Sequence, residues 1–228
     1  MMVFLSIGYF GVGFGGSSEL GGAYASQLRL DQLDLKTYTD INVAFFAISF
    51  KGDIVYPGGA SGNRGGGADN TKPEWLKDAL KGVEGESERA LSIMKALNNQ
   101  VDTYKNANKG YNCPCLLPSI GGWDIANNET YGKALNYVAK TIYDSNTSST
   151  VYTNYSNSIK AMMSLSNVCG IDIDWEYPGR DPLVTYCTKS ADTSNPEDSF
   201  ACNIGEPTKI GPCSDGDKGC ISYATMKG

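Results

Sequence analysis

Four short runs rich in β-branched and aromatic residues, at 3–10, 41–50, 115–120 and 168–175, constrain this chain more than any other feature. Nearly continuous apolar character over such lengths suits strands buried on both faces, as in a parallel sheet. The segments between them carry helical spacing. Ala90, Met94, Leu97, Val101 and Tyr104 step by four and three and fall on one helix face. Leu135, Val138 and Ile142 predict a second helix, and Val151, Tyr155, Ile159 and Met162 a third that ends near Asn167. Residues 51–72 form a Gly-rich loop, and 177–228 read as loop with little periodicity. Strand–helix–strand alternation gives βαβ units and an α/β class. Four strands in this order fit either an open sheet or part of a (β/α)8 barrel.

Composition removes several chemistries. The 228 residues contain no histidine, which excludes Ser-His-Asp and Cys-His nucleophile systems and His-containing zinc sites. A formal net charge of −6 opposes binding to nucleic acid, which needs a basic surface, and is compatible with a neutral polysaccharide. Seven cysteines point to disulfides and an oxidising, extracellular setting, with four of them (Cys187, Cys202, Cys213, Cys220) in a Gly/Pro/Asp/Ser-rich tail. The odd count leaves one thiol over, assigned to Cys169, which stands apart from the rest. Asn128, Asn146 and Asn154 begin Asn-x-Ser/Thr triplets, read as chance matches in an Asn- and Ser-rich region. The apolar start lacks a basic flank and a small-residue cleavage site, so secretion calls for another leader or route. No run approaches the ~20 apolar residues of a membrane span.

The segment Cys169-Gly170-Ile171-Asp172-Ile173-Asp174-Trp175-Glu176-Tyr177-Pro178-Gly179 is the most informative. Strand alternation puts Asp172, Asp174 and Glu176 on one face, and Ile171, Ile173 and Trp175 on the other, where they can pack on helices. Three carboxylates on a buried face are costly unless partnered or functional. Crowded like charges push at least one of their pKa values upward, keeping one group protonated near neutral pH. Glu176 comes last, before a Pro-Gly turn at the carboxyl end of the strand, where α/β barrels place catalytic groups. A protonated carboxyl there suits a general acid for a glycosidic oxygen. A solvated strand face and a hard-cation site are the alternatives.

The same segment resembles the signature of glycoside hydrolase family 18, the chitinase family: Asp-Gly-x-Asp-x-Asp-x-Glu followed by Tyr-Pro-Gly. Gly170, Asp172, Asp174, Glu176, Tyr177, Pro178 and Gly179 match, and Cys169 stands at the first Asp, which in the family supports the next Asp from below. Leu116-Leu117-Pro118-Ser119-Ile120-Gly121-Gly122-Trp123 resembles the family's Ser-x-Gly-Gly motif at the end of the third strand. Paired glycines there let a backbone come close to a ligand, and Trp123 offers a face to a sugar ring; a tight turn with a packed Trp is the alternative. Ile7-Gly8-Tyr9-Phe10 and Ile41-Asn42-Val43-Ala44-Phe45 resemble the family's first two strands.

The resemblance implies a (β/α)8 TIM barrel of the family 18 type, here truncated after the fourth strand, because a whole barrel takes ~250 residues. It reads residues 1–228 as a single partial catalytic domain with a Cys-rich loop insertion at about 180–222. The family's later Met-x-Tyr-Asp motif and final Trp are not found. The implied reaction is hydrolysis of β-1,4-linked N-acetylglucosamine polymers, with retention and with the substrate's own acetamide as nucleophile. Glu176 is then general acid/base, Asp174 orients the acetamide and Asp172 holds Asp174. Tyr9, Phe45, Gly122, Trp123 and Tyr177 contact the sugar. No metal or cofactor is implied. The expected partners are chitin or N-acetylglucosamine oligosaccharides and a complementing chain or C-terminal half, with no nucleic acid or membrane, and the expected location is secreted. A lectin-like pseudoenzyme and an inactive fragment are the other readings.

Overall fold

The computed structural model describes residues 6–12, 26, 28–56, 73–122, 125, 131–145 and 149–174, and the backbone of four short strands nearer the C-terminus. The protein is a mixed α/β structure built on a parallel sheet. The sheet runs β1 (Ile7–Gly11), β2 (Asp40–Ile48), β4 (Cys115–Gly121), β5 (Asp172–Asp174), with β3 (Ile54–Val55) beside β2. Both β1 and β4 pair with β2 in parallel. β5 lies beside β4, and ahead of it Val168 makes an isolated parallel bridge with Leu116. β3 falls inside the stretch expected to be loop.

The chain divides into two compact units: Met1–Phe46, Ile54–Ile120 and Ser158–Ile173 form one, and Ala47–Asp53, Gly121–Asn157 and Asp174–Gly228 the other. In the first unit, partner residues of parallel strands point the same way. Phe10, Ile41, Val43 and Leu116 therefore share one face, and all are buried. The long helix α2 (Glu86–Ala107) supplies the largest share of this core. Ala90, Met94, Leu97, Val101 and Tyr104, the face expected from spacing, are all buried there. Glu86 and Glu88 in its first turn and Lys105 in its last complement the helix dipole. α2 packs against α1 (Glu74–Leu80), against β3 and against the short 3-10 turn Leu30–Gln32.

Burial on both faces holds for β2 and β4 but not for β1 or β5. Ile7 is 51% and Tyr9 65% exposed, and Ile173 is 43% exposed, so it is not packed under a helix as expected. β1 and β5 end the described sheet, and a terminal strand lacks a neighbour on one side to help cover its side chains.

The turn before β5 is held by a polar cluster. Asn167 is buried; its Nδ2 donates to Asn98 Oδ1 at 3.0 Å and to Asp102 Oδ1 at 2.9 Å, and its N–H donates to Asn98 Oδ1 at 3.0 Å. Lys105 donates to Asn167 Oδ1. The Asn167 carbonyl in turn accepts the Leu116 N–H at 2.7 Å. One asparagine thus ties α2, the turn and β4 together.

A disulfide joins Cys115 to Cys169. This corrects the assignment of Cys169 as the spare thiol; among the described residues the free cysteine is Cys113. The partners are 54 residues apart, and only the β4–β5 pairing makes them neighbours.

The second unit has its own core of Ile48, Ala134, Leu135 and Val138, with Phe50, Tyr137, Ile142, Val151 and Tyr155 packed around it. Ile48 comes from the end of β2 and Phe50 from just beyond it, and helix α3 (Tyr131–Ser145) and the first part of α4 (Thr150–Met163) supply the rest. Asn154 lies within α4 and donates its Nδ2 to the Lys51 carbonyl, which fits the chance reading of its glycosylation triplet. The tail is not all loop: β6 (Thr185–Lys189) pairs antiparallel with β7 (Phe200–Ile204), in a register that sets Cys187 against Cys202, and β8 (Lys209–Ile210) pairs with β9 (Cys220–Ile221). Among the described residues no helix is long and apolar enough to cross a membrane.

Asn167→Ala strips three helix residues, Asn98, Asp102 and Lys105, of a side-chain partner and loosens the turn. It is expected to lower stability by about 2–4 kcal/mol in urea denaturation, as buried polar groups left unsatisfied do.

Candidate functional site

Asp172 opens β5, and its carboxylate gathers donors from two other strands. Oδ2 accepts Ser119 Oγ–H at 2.6 Å and Asn42 Nδ2–H at 2.9 Å. The sheet register explains the meeting. Ala44 on β2 lies against Ser119 on β4, so Asn42 and Ser119 project from one face, two positions apart in register. Asp172 reaches that face from the next strand. Ser119 is fully buried and Asn42 nearly so, while Asp172 is half-buried. The 2.6 Å contact is in the range of a hydroxyl donating to a carboxylate.

Asn42 Oδ1 is buried and has no hydrogen-bond partner among the described residues. The amide presents its Nδ2 to Asp172. The next residues on either side, Ile41 and Val43, are buried apolar ones.

The Gly121-Gly122 pair closes on Asp174. Gly121 has φ +116°, and a Cβ built there would lie 2.1 Å from the Asp174 carbonyl oxygen. Gly122 has φ +83°, and its N–H donates to the same carbonyl at 2.7 Å. The glycines were expected to admit a ligand's close approach; the group that approaches Gly121 here is the Asp174 carbonyl of the neighbouring strand. This contact fixes the backbone from which the Asp174 side chain, half-buried, projects.

Of the residues expected from sequence, Asp172, Asp174, Gly122, Tyr9 and Phe45 are described, and Glu176, Trp123 and Tyr177 lie outside the described residues. Tyr9 sits opposite Asn42 in register and is largely exposed, so it is not a core aromatic. Phe45 is half-buried at a bulge where the β2–β4 register shifts between Ala44 and Phe46. Asn42 and Ser119 lie inside segments singled out from sequence but were not expected as site residues. The available signal was a lone amide within an apolar strand, which must find a partner. Among the described residues no group of three or more Cys, Asp or Glu side chains is placed to hold a metal ion.

No family model matches the chain. A stretch of 63 residues is 35% identical to the killer toxin subunits alpha/beta of Kluyveromyces lactis, covering 28% of this chain and 5% of that protein. Among solved structures, the group IV chitinase of Ostrinia furnacalis is similar with a TM-score of 0.40 and 18% identity, over 78% of this chain and 35% of that one. Its complex with allosamidin scores 0.40 over 77% and 34%. A family GH18 chitinase from Chromobacterium violaceum scores 0.43 with 19% identity, over 78% and 25%. The chain spans only a minor part of the length of each of these proteins.

Gly121→Ala places a Cβ against the Asp174 carbonyl in a backbone conformation that disfavours side chains. The expected loss is at least about 2 kcal/mol by chemical denaturation, against about 1 kcal/mol for Gly110→Ala, where φ is also positive but no atom is near.

Proposed function

We propose that the chain carries the acidic strand of a retaining glycoside hydrolase acting on β-1,4-linked N-acetylglucosamine polymers. The observation that supports this most is the Asp172 cluster. A carboxylate held by two donors on two other strands is followed, two residues on, by Asp174 and then in sequence by Glu176.

In this reading Glu176 protonates the glycosidic oxygen as the bond to the anomeric carbon breaks. The acetamide carbonyl oxygen of the same sugar attacks that carbon from the opposite face, giving a cyclic oxazolinium intermediate. Asp174 accepts the acetamide N–H and offsets the developing positive charge. Glu176, now a carboxylate, takes a proton from water, which opens the ring at the anomeric carbon and restores the starting configuration. Asp172 keeps Asp174 oriented while Ser119 and Asn42 hold Asp172. Tyr9, Phe45, Gly122, Trp123 and Tyr177 would line the sugar path. No cofactor enters these steps. The oxidising setting expected from the cysteines fits an extracellular polymer as substrate.

Hydrolysis of a fluorogenic chitobioside, by this chain and by Glu176→Gln, tests the reading. The expected result is turnover that falls by ~10²–10⁴-fold in the variant, the usual contribution of a general acid. Equal turnover in both proteins, or none in either, would overturn it.

A further inference from the structure

The acidic motif has one departure, Cys169 at its first position, and the hydrolytic reading leaves it without a role. The structure supplies its partner, Cys115. Cys115 and Ser119 both lie on β4, four residues apart and on the same face by strand alternation. Cys169 and Asp172 lie three residues apart on the chain leading into β5. Two links therefore join the same two short segments. One is the covalent bond from Cys115 to Cys169, and the other the hydrogen bond from Ser119 to Asp172.

Among the described residues, two backbone hydrogen bonds tie this end of the strand pair. Leu116 N–H donates to the Asn167 carbonyl at 2.7 Å, but the return bond, from Cys169 N–H to the Leu116 carbonyl, is long at 3.4 Å. Residues 169–171 are not in strand conformation, and β5 itself is three residues. A 2.6 Å hydroxyl–carboxylate contact tolerates errors of only a few tenths of an ångström. We propose that the Cys115–Cys169 disulfide is a positioning bridge for Asp172, and that the candidate site is held in its working geometry only in the oxidised protein. The catalytic half of this proposal rests on the hydrolase reading above; the structural half does not.

The bridge is open to chemistry. Cys169 is exposed and Cys115 half-buried, so a dithiol can reach the bond in the folded protein. A dithiol such as dithiothreitol would attack one sulfur, and its second thiol would then displace the mixed disulfide. Two electrons and two protons pass to the cysteines, leaving two thiols and a cyclic oxidised reagent. Cys113, two residues from the bridge, is a weak internal competitor, because burial pushes its thiol up and thiolate is the attacking species.

The test is native-state amide exchange on the wild-type chain and on Cys115→Ser/Cys169→Ser, with Gly122 reporting on the β4–β5 pair and Leu97 on the α2 core. Loss of a bridge that only stabilises the whole fold speeds both amides by one factor. A positioning bridge raises the Gly122-to-Leu97 rate ratio by ~10-fold or more, through opening local to the strand pair. The matching functional result is a kcat for chitobioside lowered by ~10-fold or more in the variant, with a smaller change in KM, since the chemistry and not the outer sugar contacts is disturbed. An unchanged rate ratio overturns the proposal, as does a non-reducing digest without the linked 115–169 peptide. A wild-type chain that hydrolyses nothing removes the hydrolase reading, while the exchange ratio still decides the bridge.

Discussion

The arrangement of the site depends on one carboxylate being satisfied from two sides. Asp172 accepts from Ser119 and from Asn42, and so three strands must keep their mutual register to within a fraction of an ångström. Much of the first unit can be understood as serving that demand. β2 and β4 are fixed by continuous parallel pairing. The chain leading into β5 is held by the Asn167 cluster on α2 and by the disulfide, and the Asp174 carbonyl is held by the glycine pair. Each of these three anchors acts on a different part of the same stretch of chain.

The anchors also divide the work between stability and function. The α2 core and the Asn167 cluster bury apolar groups and satisfy polar ones, which is what a fold needs for its own sake. Asn42 does the opposite: its Oδ1 is buried without a hydrogen-bond partner among the described residues, while its Nδ2 serves Asp172. Unfavourable local features that survive in a well-packed frame mark places where something besides folding has set the sequence. Here that feature lies against Asp172.

What could be read from the sequence follows from the range of the interactions involved. α2 was legible because its core face repeats within one element, from Ala90 to Tyr104, and the parallel sheet because its inner strands are continuously apolar. The acidic row was legible as a shared face because Asp172 and Asp174 alternate within one strand. The partners of Asp172 were not, because Asn42 is 130 residues away and the irregular stretch 169–171 breaks any count of faces from β4 to β5. The same distance hid the disulfide: Cys169 looks solitary along the chain and finds Cys115 only across the sheet. Exposure of Ile173 was missed because alternation predicts which side a residue faces, not whether anything covers that side. β3 and the tail strands are two to five residues long, too short for a period to show.

The central claim is that a row of carboxylates beginning at Asp172 performs substrate-assisted hydrolysis with retention. Its most direct test is the anomeric configuration of the first product, followed by proton NMR while the chain cleaves an N-acetylglucosamine oligosaccharide. The account predicts that the new reducing end appears as the β-anomer and drifts to the equilibrium mixture only afterwards. An α-anomer formed first would mean inversion by direct attack of water and would contradict the role given to the acetamide and to Asp174.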